Sequence, residues 1–310
     1  MSRAPRVLAA ATALTAGVAA GGQLAIFPAG PAAAATVPGP RPHAYAVAPD
    51  LTGPTGVIAA GADLVYAASG RGLWSRDPNV KRPIASITKV MTALIVLRAG
   101  DLTRKIRVTT AAERYGRSFN PSEAGLHPGD VLTARQLMEG ILLPSGSDAA
   151  YLLATSFGPG RLAFVRKMNA EAKKLGMTRT HFANFDGLPW PSEHSTYSTP
   201  RDLMKLARAA MKYATFQEIV SQQSHAIAAT AQHHHYFWKN TDLLLGRYRG
   251  AIGIKTGYTS GAGYCLLFEA KRGTQELLGV VLDSTGNQPN ERFTAAADLL
   301  NWGFRVAGSG

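Results

Sequence analysis

The 310-residue chain has one cysteine, Cys265, so it can form no disulfide of its own. That leaves the compartment open, because an exported protein need not be cross-linked. Cys265 stands in the apolar stretch from Gly263 to Phe268 and reads as a small buried strand residue, not a reactive thiol. Beyond the N-terminal segment no apolar run approaches the ~20 residues a membrane-spanning helix needs. Internal repeats are absent. Acidic residues are scarce, 20 against 33 Lys and Arg, for a net charge of +13. Such a balance attracts polyanions. The basic residues are dispersed, however, and no helix-turn-helix, zinc-finger or RNP pattern accompanies them, so a solvated basic surface is expected and nucleic acid is not. His233-His234-His235 invites a metal reading. Neighbouring strand side chains point to opposite faces, and no Asp, Glu or Cys set lies nearby, so a strand of mixed burial running into Tyr236-Phe237-Trp238 is expected instead.

The N-terminus carries Arg3 and Arg6, then a small and apolar run from Val7 to Ala20, then A-x-A sites within Ala32 to Ala35. This is the pattern of a secretory signal peptide over 1–35, with Thr36 as the mature start. A retained anchor is the alternative, weakened by Gly21, Gly22, Gln23 and Pro28. Residues 36–55 are rich in Pro and Gly and read as a linker. The folded part is expected over 56–307.

Within it, Val57–Ala59 and Leu64–Tyr66 read as two short strands joined by a Gly-Ala-Asp turn. Ser86 to Arg98 is apolar on nearly every face, which predicts a helix buried all round and ended at Gly100-Asp101. Ile106 to Val108 reads as a strand. Helical patterning dominates from about 133 to 220, with a capping box at Thr133 and Gln136 and a second cap at Thr199 ahead of Pro200. Strands follow over 225–229, 252–256, 262–270 and 276–283, and a last helix over Glu291–Arg305. The order predicts an α/β fold, an antiparallel sheet layered between helices with an all-helical subdomain inserted.

Three short motifs carry chemistry. In Ser86-Ile87-Thr88-Lys89 a helical three-residue spacing sets hydroxyl and amine on one face. Serine is a weak nucleophile without a base, and lysine serves as that base when burial lowers its pKa. Ser145-Gly146-Ser147 marks a tight loop that presents hydroxyls to a cleft, or else a simple helix N-cap with Asp148 in its first turn. Lys255-Thr256-Gly257 sets a cation and a hydroxyl side by side, with a glycine where a ligand can approach the backbone, which suits a substrate carboxylate. Each motif alone is equally at home in ordinary structure. Their order, at separations of 59 and 110 residues, is specific.

On these motifs the chain resembles the low-molecular-mass penicillin-binding proteins, the serine-type D-alanyl-D-alanine carboxypeptidase family with its β-lactamase/transpeptidase-like fold. Leu175-Gly176-Met177, Gly187-Leu188, Tyr197-Ser198-Thr199 and Tyr258-Thr259 extend the match over about 56–307. The resemblance implies Ser86 as the acylated nucleophile, Lys89 as its base and Ser145 as a proton relay. It implies Lys255, Thr256 and Gly257 at the carboxylate of a peptidoglycan stem peptide ending in D-Ala-D-Ala, and backbone N–H groups of Ser86 and Tyr258 as the oxyanion hole. Arg292 matches a family arginine on that carboxylate and reads equally as a solvated helix-start residue. β-Lactams are expected inhibitors, anionic wall polymers a further partner, and no metal or cofactor is implied. The family's middle motif usually ends in Asn. Ser147 is shorter, which implies an active enzyme with altered rate or β-lactam sensitivity. A D,D-transpeptidase, a β-lactamase and a catalytically weak wall-binding protein are the alternatives. No Glu-x-x-Leu-Asn stretch supports the β-lactamase, and Ser86, Lys89 and Lys255 oppose the binding protein.

Overall fold

The computed structural model describes residues 53–118, 122–284 and 288–308. The expected leader and most of the expected linker lie outside them. Chain order begins with β1 (Gly61–Tyr66), β2 (Gly72–Arg76) and β3 (Arg82–Pro83), then a 3-10 turn over Ala85–Ile87 that leads into α1 (Thr88–Ala99). Next come β4 (Lys105–Arg107), α2 (Thr110–Arg117), β5 (Val131–Thr133), α3 (Ala134–Leu142), α4 (Ser147–Phe157) and α5 (Arg161–Lys174). β6 (Tyr197–Ser198), α6 (Pro200–Ala210), α7 (Ala214–Val220), β7 (Ser224–Ile227) and β8 (Tyr236–Lys239) follow. β9 (Ala251–Thr259), β10 (Gly263–Arg272), β11 (Gln275–Ser284) and α8 (Glu291–Ala307) complete the described part.

The main sheet has the order β2-β1-β11-β10-β9, antiparallel throughout. Both ends of the folded part build it, and α1 to α7 lie between them in sequence, which is the inserted helical region expected. Strand side chains alternate between faces. Leu64, Leu266, Phe268, Leu277 and Val281 join Phe293, Leu299, Leu300 and Trp302 of α8 in one apolar layer. Val65, Leu267, Leu278, Val280 and Leu282 join α1 and the helical region in the other. The sheet is therefore covered on both faces, and each fully buried Leu or Phe contributes about 1.5–3 kcal/mol relative to exposure.

α1 runs through the second layer. Thr88 to Leu97 are all buried, as the apolar run predicted, and Gly100 closes the helix with left-handed φ of 78°. The capping box at Thr133 and Gln136 forms, and Thr199 accepts from Asp202 N–H with Pro200 in the first turn.

Two local expectations are corrected. Val57–Ala59 is not a strand, and Gly61-Ala62-Asp63 is no turn but the start of β1. A turn reading assumes that Asp63 faces water. It is buried, and its carboxylate takes the Arg201 guanidinium at 2.7 Å. The segments β2 and α2 were not anticipated. β2 is an edge strand with little burial, and α2 is a short helix capped by Thr109, so neither carries a long apolar pattern.

Candidate active site

Ser86 and Lys89 are set by the junction between the 3-10 turn and α1. Ala85 holds a left-handed φ of 46°, unusual for a residue with a Cβ, and turns the chain immediately before Ser86. Lys89 Nζ meets Ser86 Oγ at 3.0 Å and donates to the Asp186 carbonyl at 3.0 Å. One turn on, Thr92 Oγ1 donates to the Phe185 carbonyl at 2.5 Å. Lys89 and Thr92 thus present polar groups from one side of a mostly apolar helix, and carbonyls of the 184–188 loop satisfy both.

Lys89 is completely buried. Desolvation lowers its pKa from the usual lysine range to about 8, against the opposing charges of Asp186 and Asp148. Burial in turn raises the Asp186 carboxyl, while Lys89, the Leu188 N–H and the nearby Tyr115 and Ser147 hydroxyls favour its ionised form. Asp186 Oδ2 and Ser147 Oγ are buried and have no hydrogen-bond partner among the described residues.

The Ser145 segment decides between the two readings of its sequence. Gly146 is the N-cap of α4, and no side chain caps that end. Ser145 is buried at φ 67°, and its Oγ has no partner among the described residues. It is a presented hydroxyl, not a cap. Strain of this kind costs about 1–3 kcal/mol and persists where surrounding structure enforces it. Asp148 serves the loop opposite, accepting from Ala124 N–H at 2.9 Å and Leu126 N–H at 3.1 Å. That tie brings Ser122 to the cleft.

β9 is the free edge of the main sheet and forms the other wall. A methyl at Gly257 would stand 2.8 Å from the Ile84 carbonyl oxygen and 3.3 Å from the Ser86 nitrogen, so only glycine lets the strand pass this close to the chain that presents Ser86. Thr256 Oγ1 shares a 2.7 Å hydrogen bond with Thr241 Oγ1. Lys255 Nζ donates to the Thr256 carbonyl at 3.1 Å. Burial lowers the Lys255 pKa strongly, the charges of Lys89 and Arg292 add to that, and Asp242 opposes it. Asp242 is itself pushed up to about 6 by burial. Arg292, at the start of α8, donates to the Gly257 carbonyl at 3.2 Å and packs over the Tyr264 and Phe293 rings. The solvated reading of Arg292 therefore does not describe this structure.

A cleft of about 360 Å³ gathers Ser86, Ser145, Ser147, Thr256, Gly257, Tyr258 and Arg292, seven of the nine residues singled out in the sequence. Lys89 and Lys255 lie just behind its walls as buried neighbours. Sequence reasoning missed Asp186, Thr241, Asp242 and Glu193. Asp186 stands directly before the Gly187-Leu188 pair that carried part of the resemblance, so a signal was there. The other three stand in no motif. The histidine run lies elsewhere. His234 Nδ1 contacts the Asp130 carboxylate at 2.9 Å, and Tyr236 donates to the same group.

The model of the family described as D-alanyl-D-alanine carboxypeptidase matches residues 49–286. A D-alanyl-D-alanine carboxypeptidase of Streptomyces sp. strain K15 is 38% identical over 268 residues, covering 83% of this chain and 90% of that one. The D-alanyl-D-alanine carboxypeptidase DacB2 of Mycobacterium tuberculosis is 38% identical over 239 residues, covering 77% and 79%. The crystal structure of the Streptomyces K15 DD-transpeptidase superposes with a TM-score of 0.77 at 39% identity, over 82% of this chain and 99% of that one. The fold is that of the penicillin-binding DD-peptidases, with its antiparallel sheet and flanking helices. With its family model matched across the sheet and the cleft, the chain belongs to the D-alanyl-D-alanine carboxypeptidase family of serine peptidases.

Proposed function

We propose that the cleft cleaves the terminal D-Ala from peptidoglycan stem peptides through an ester on Ser86. The observation that carries this reading is the 3.0 Å contact between Ser86 Oγ and the buried Lys89 amine. Neutral Lys89 takes the Ser86 proton as Oγ adds to the carbonyl of the penultimate D-Ala. Backbone N–H groups of Ser86 and Tyr258 receive the oxyanion. The peptide C–N bond then breaks, and the departing D-Ala amine gains its proton through Ser145, whose hydroxyl has no competing partner among the described residues. Water attacks the ester and regenerates Ser86. Thr256 and Arg292 hold the terminal carboxylate at the cleft wall, with Lys255 adding charge from behind it. A β-lactam enters the same sequence and stops at the ester.

An amine in place of water would make a transpeptidase, and the name of the Streptomyces K15 structure favours keeping that second reading. Ser86→Ala is expected to abolish labelling by a fluorescent penicillin. Incubation of the parent with a pentapeptide ending in D-Ala-D-Ala, with and without an acceptor amine, then reads the partition from its products. Persistent labelling of Ser86→Ala would overturn the assignment of the nucleophile.

The pH dependence follows from the base. Acylation needs Lys89 unprotonated, so the rate rises with pH and levels off above about 8. Asp186 holds Lys89 protonated, so Asp186→Asn removes that pull and lowers the Lys89 pKa further. The rise of the acylation rate is expected to move to lower pH in the variant. A stopped-flow pH profile checks this, and an upward shift or none would remove Asp186 from the control of Lys89.

The family's substrate lies outside the cytoplasmic membrane, and the N-terminal export pattern supports the same location for this protein. Its charge of +13 suits residence near anionic wall polymers. Among the described residues no helix is long and apolar enough to cross a membrane.

A further inference from the structure

Glu193 is the one acidic residue among the described residues that line the cleft. It comes from the loop after Leu188 and reaches the turn between β9 and β10, where the Gly261 N–H donates to its Oε2 at 3.2 Å. A methyl on Gly261 would stand 2.7 Å from that oxygen, so the glycine leaves room for the carboxylate. No hydrogen bond among the described residues engages Oε1. Near the end of β9, just before that turn, Tyr258 is 54% exposed and its ring stacks on Tyr264, centroids 4.5 Å apart. Glu193 and Tyr258 line the same cleft, and a held carboxylate together with an exposed tyrosine is a pairing that recognises an ammonium group.

We propose that Glu193 and Tyr258 form a subsite for a primary ammonium group on the donor peptide, the part that stays on Ser86 as the ester. The inference rests on the substrate reading above. Position along β9 selects the donor. Lys255 and Thr256 mark the carboxylate end, Gly257 passes Ser86, and Ser260 lies three residues further, roughly 10 Å at ~3.3 Å per residue. A peptide running along this edge therefore meets Glu193 upstream of the scissile bond. Charge points the same way. Arg292 repels an ammonium from the leaving-group end, and Glu193 attracts it at the other.

The test uses two D-Ala-D-Ala peptides that differ only in a side-chain amine, free or acetylated, on the residue before the D-Ala pair. The parent is expected to prefer the free amine by about five- to tenfold in kcat/KM, less at high salt. In Glu193→Gln the ratio falls towards one, and in Glu193→Lys it inverts. Gly261→Ala, which displaces the carboxylate without removing it, also lowers the ratio. Acylation by benzylpenicillin confirms in each variant that the cleft is assembled. A parent without preference, or a Glu193→Gln variant that keeps it, overturns the subsite. An equal loss with both peptides does the same, since it assigns Glu193 to loop structure alone. If penicillin acylates Ser86 but neither peptide turns over, the peptide reading fails. The subsite is then decided by two penicillins whose acyl side chains end in an amine or its acetamide, with the same ratios expected and the same results overturning it.

Discussion

Lys89→Ala is expected to slow acylation of Ser86 by penicillin about a hundred- to ten-thousandfold at neutral pH, the range in which a general base contributes. The Ser86 hydroxyl ionises only far above that pH, and among the described residues no other amine or imidazole hydrogen-bonds to it. Lys89 is completely buried, and among the described residues its hydrogen-bond partners are Ser86 Oγ and the Asp186 carbonyl. The substitution also strips the buried Asp186 of its opposing charge, so Asp186 would take up a proton more readily. Thermal melting separates loss of chemistry from loss of fold. The measurement that decides is the second-order rate constant for acylation of the folded variant. A Lys89→Ala protein acylated at the parent rate would place the base elsewhere.

Gly187→Ala is expected to lose about 2–4 kcal/mol of stability and at least tenfold in acylation rate. Gly187 has φ of 83°, a conformation that a side chain adopts at a cost of about 1–2 kcal/mol. Its added methyl would collide with the Ala85 carbonyl and stand 2.8 Å from Thr88 Oγ1. Ala85 already occupies the left-handed region, so the backbone that presents Ser86 has little freedom to retreat. Relief would have to come from the 184–188 loop, and that loop holds Lys89 through the Asp186 carbonyl. At about 2–4 °C per kcal/mol for a domain of this size, the melting temperature should fall by roughly 5–15 °C. A variant that melts with the parent and acylates at its rate would show that the loop moves without disturbing Ser86.

The two substitutions probe different links between sequence and site. Lys89 is read directly from Ser86-Ile87-Thr88-Lys89, because helical geometry alone brings residues three apart together. Gly187 acquires its role from a contact made across 102 residues, counting from Ala85 to Gly187. No local pattern announces a contact of that kind.

The same division runs through the molecule. Local chemistry determined α1 as a helix buried on every face, the caps at Thr133 and Thr199, and the strands β9 to β11. It also singled out Ser86, Lys89, Ser145, Ser147, Lys255, Thr256 and Gly257, five of which line one cleft. These features rest on spacing, capping and periodicity, which act within a few residues. Tertiary structure decided whether the Ser145 hydroxyl caps a helix or faces the cleft, and it placed Arg292 on the Gly257 carbonyl. It turned Gly61-Ala62-Asp63 from a turn into a strand by burying Asp63 against Arg201, 138 residues away. It also brought Asp186 to Lys89, Thr241 to Thr256 and Glu193 to Gly261. A buried charge or hydroxyl takes its partner from whatever packs against it, and in this fold that neighbour comes from a distant part of the chain, so its role becomes visible only once the layers close.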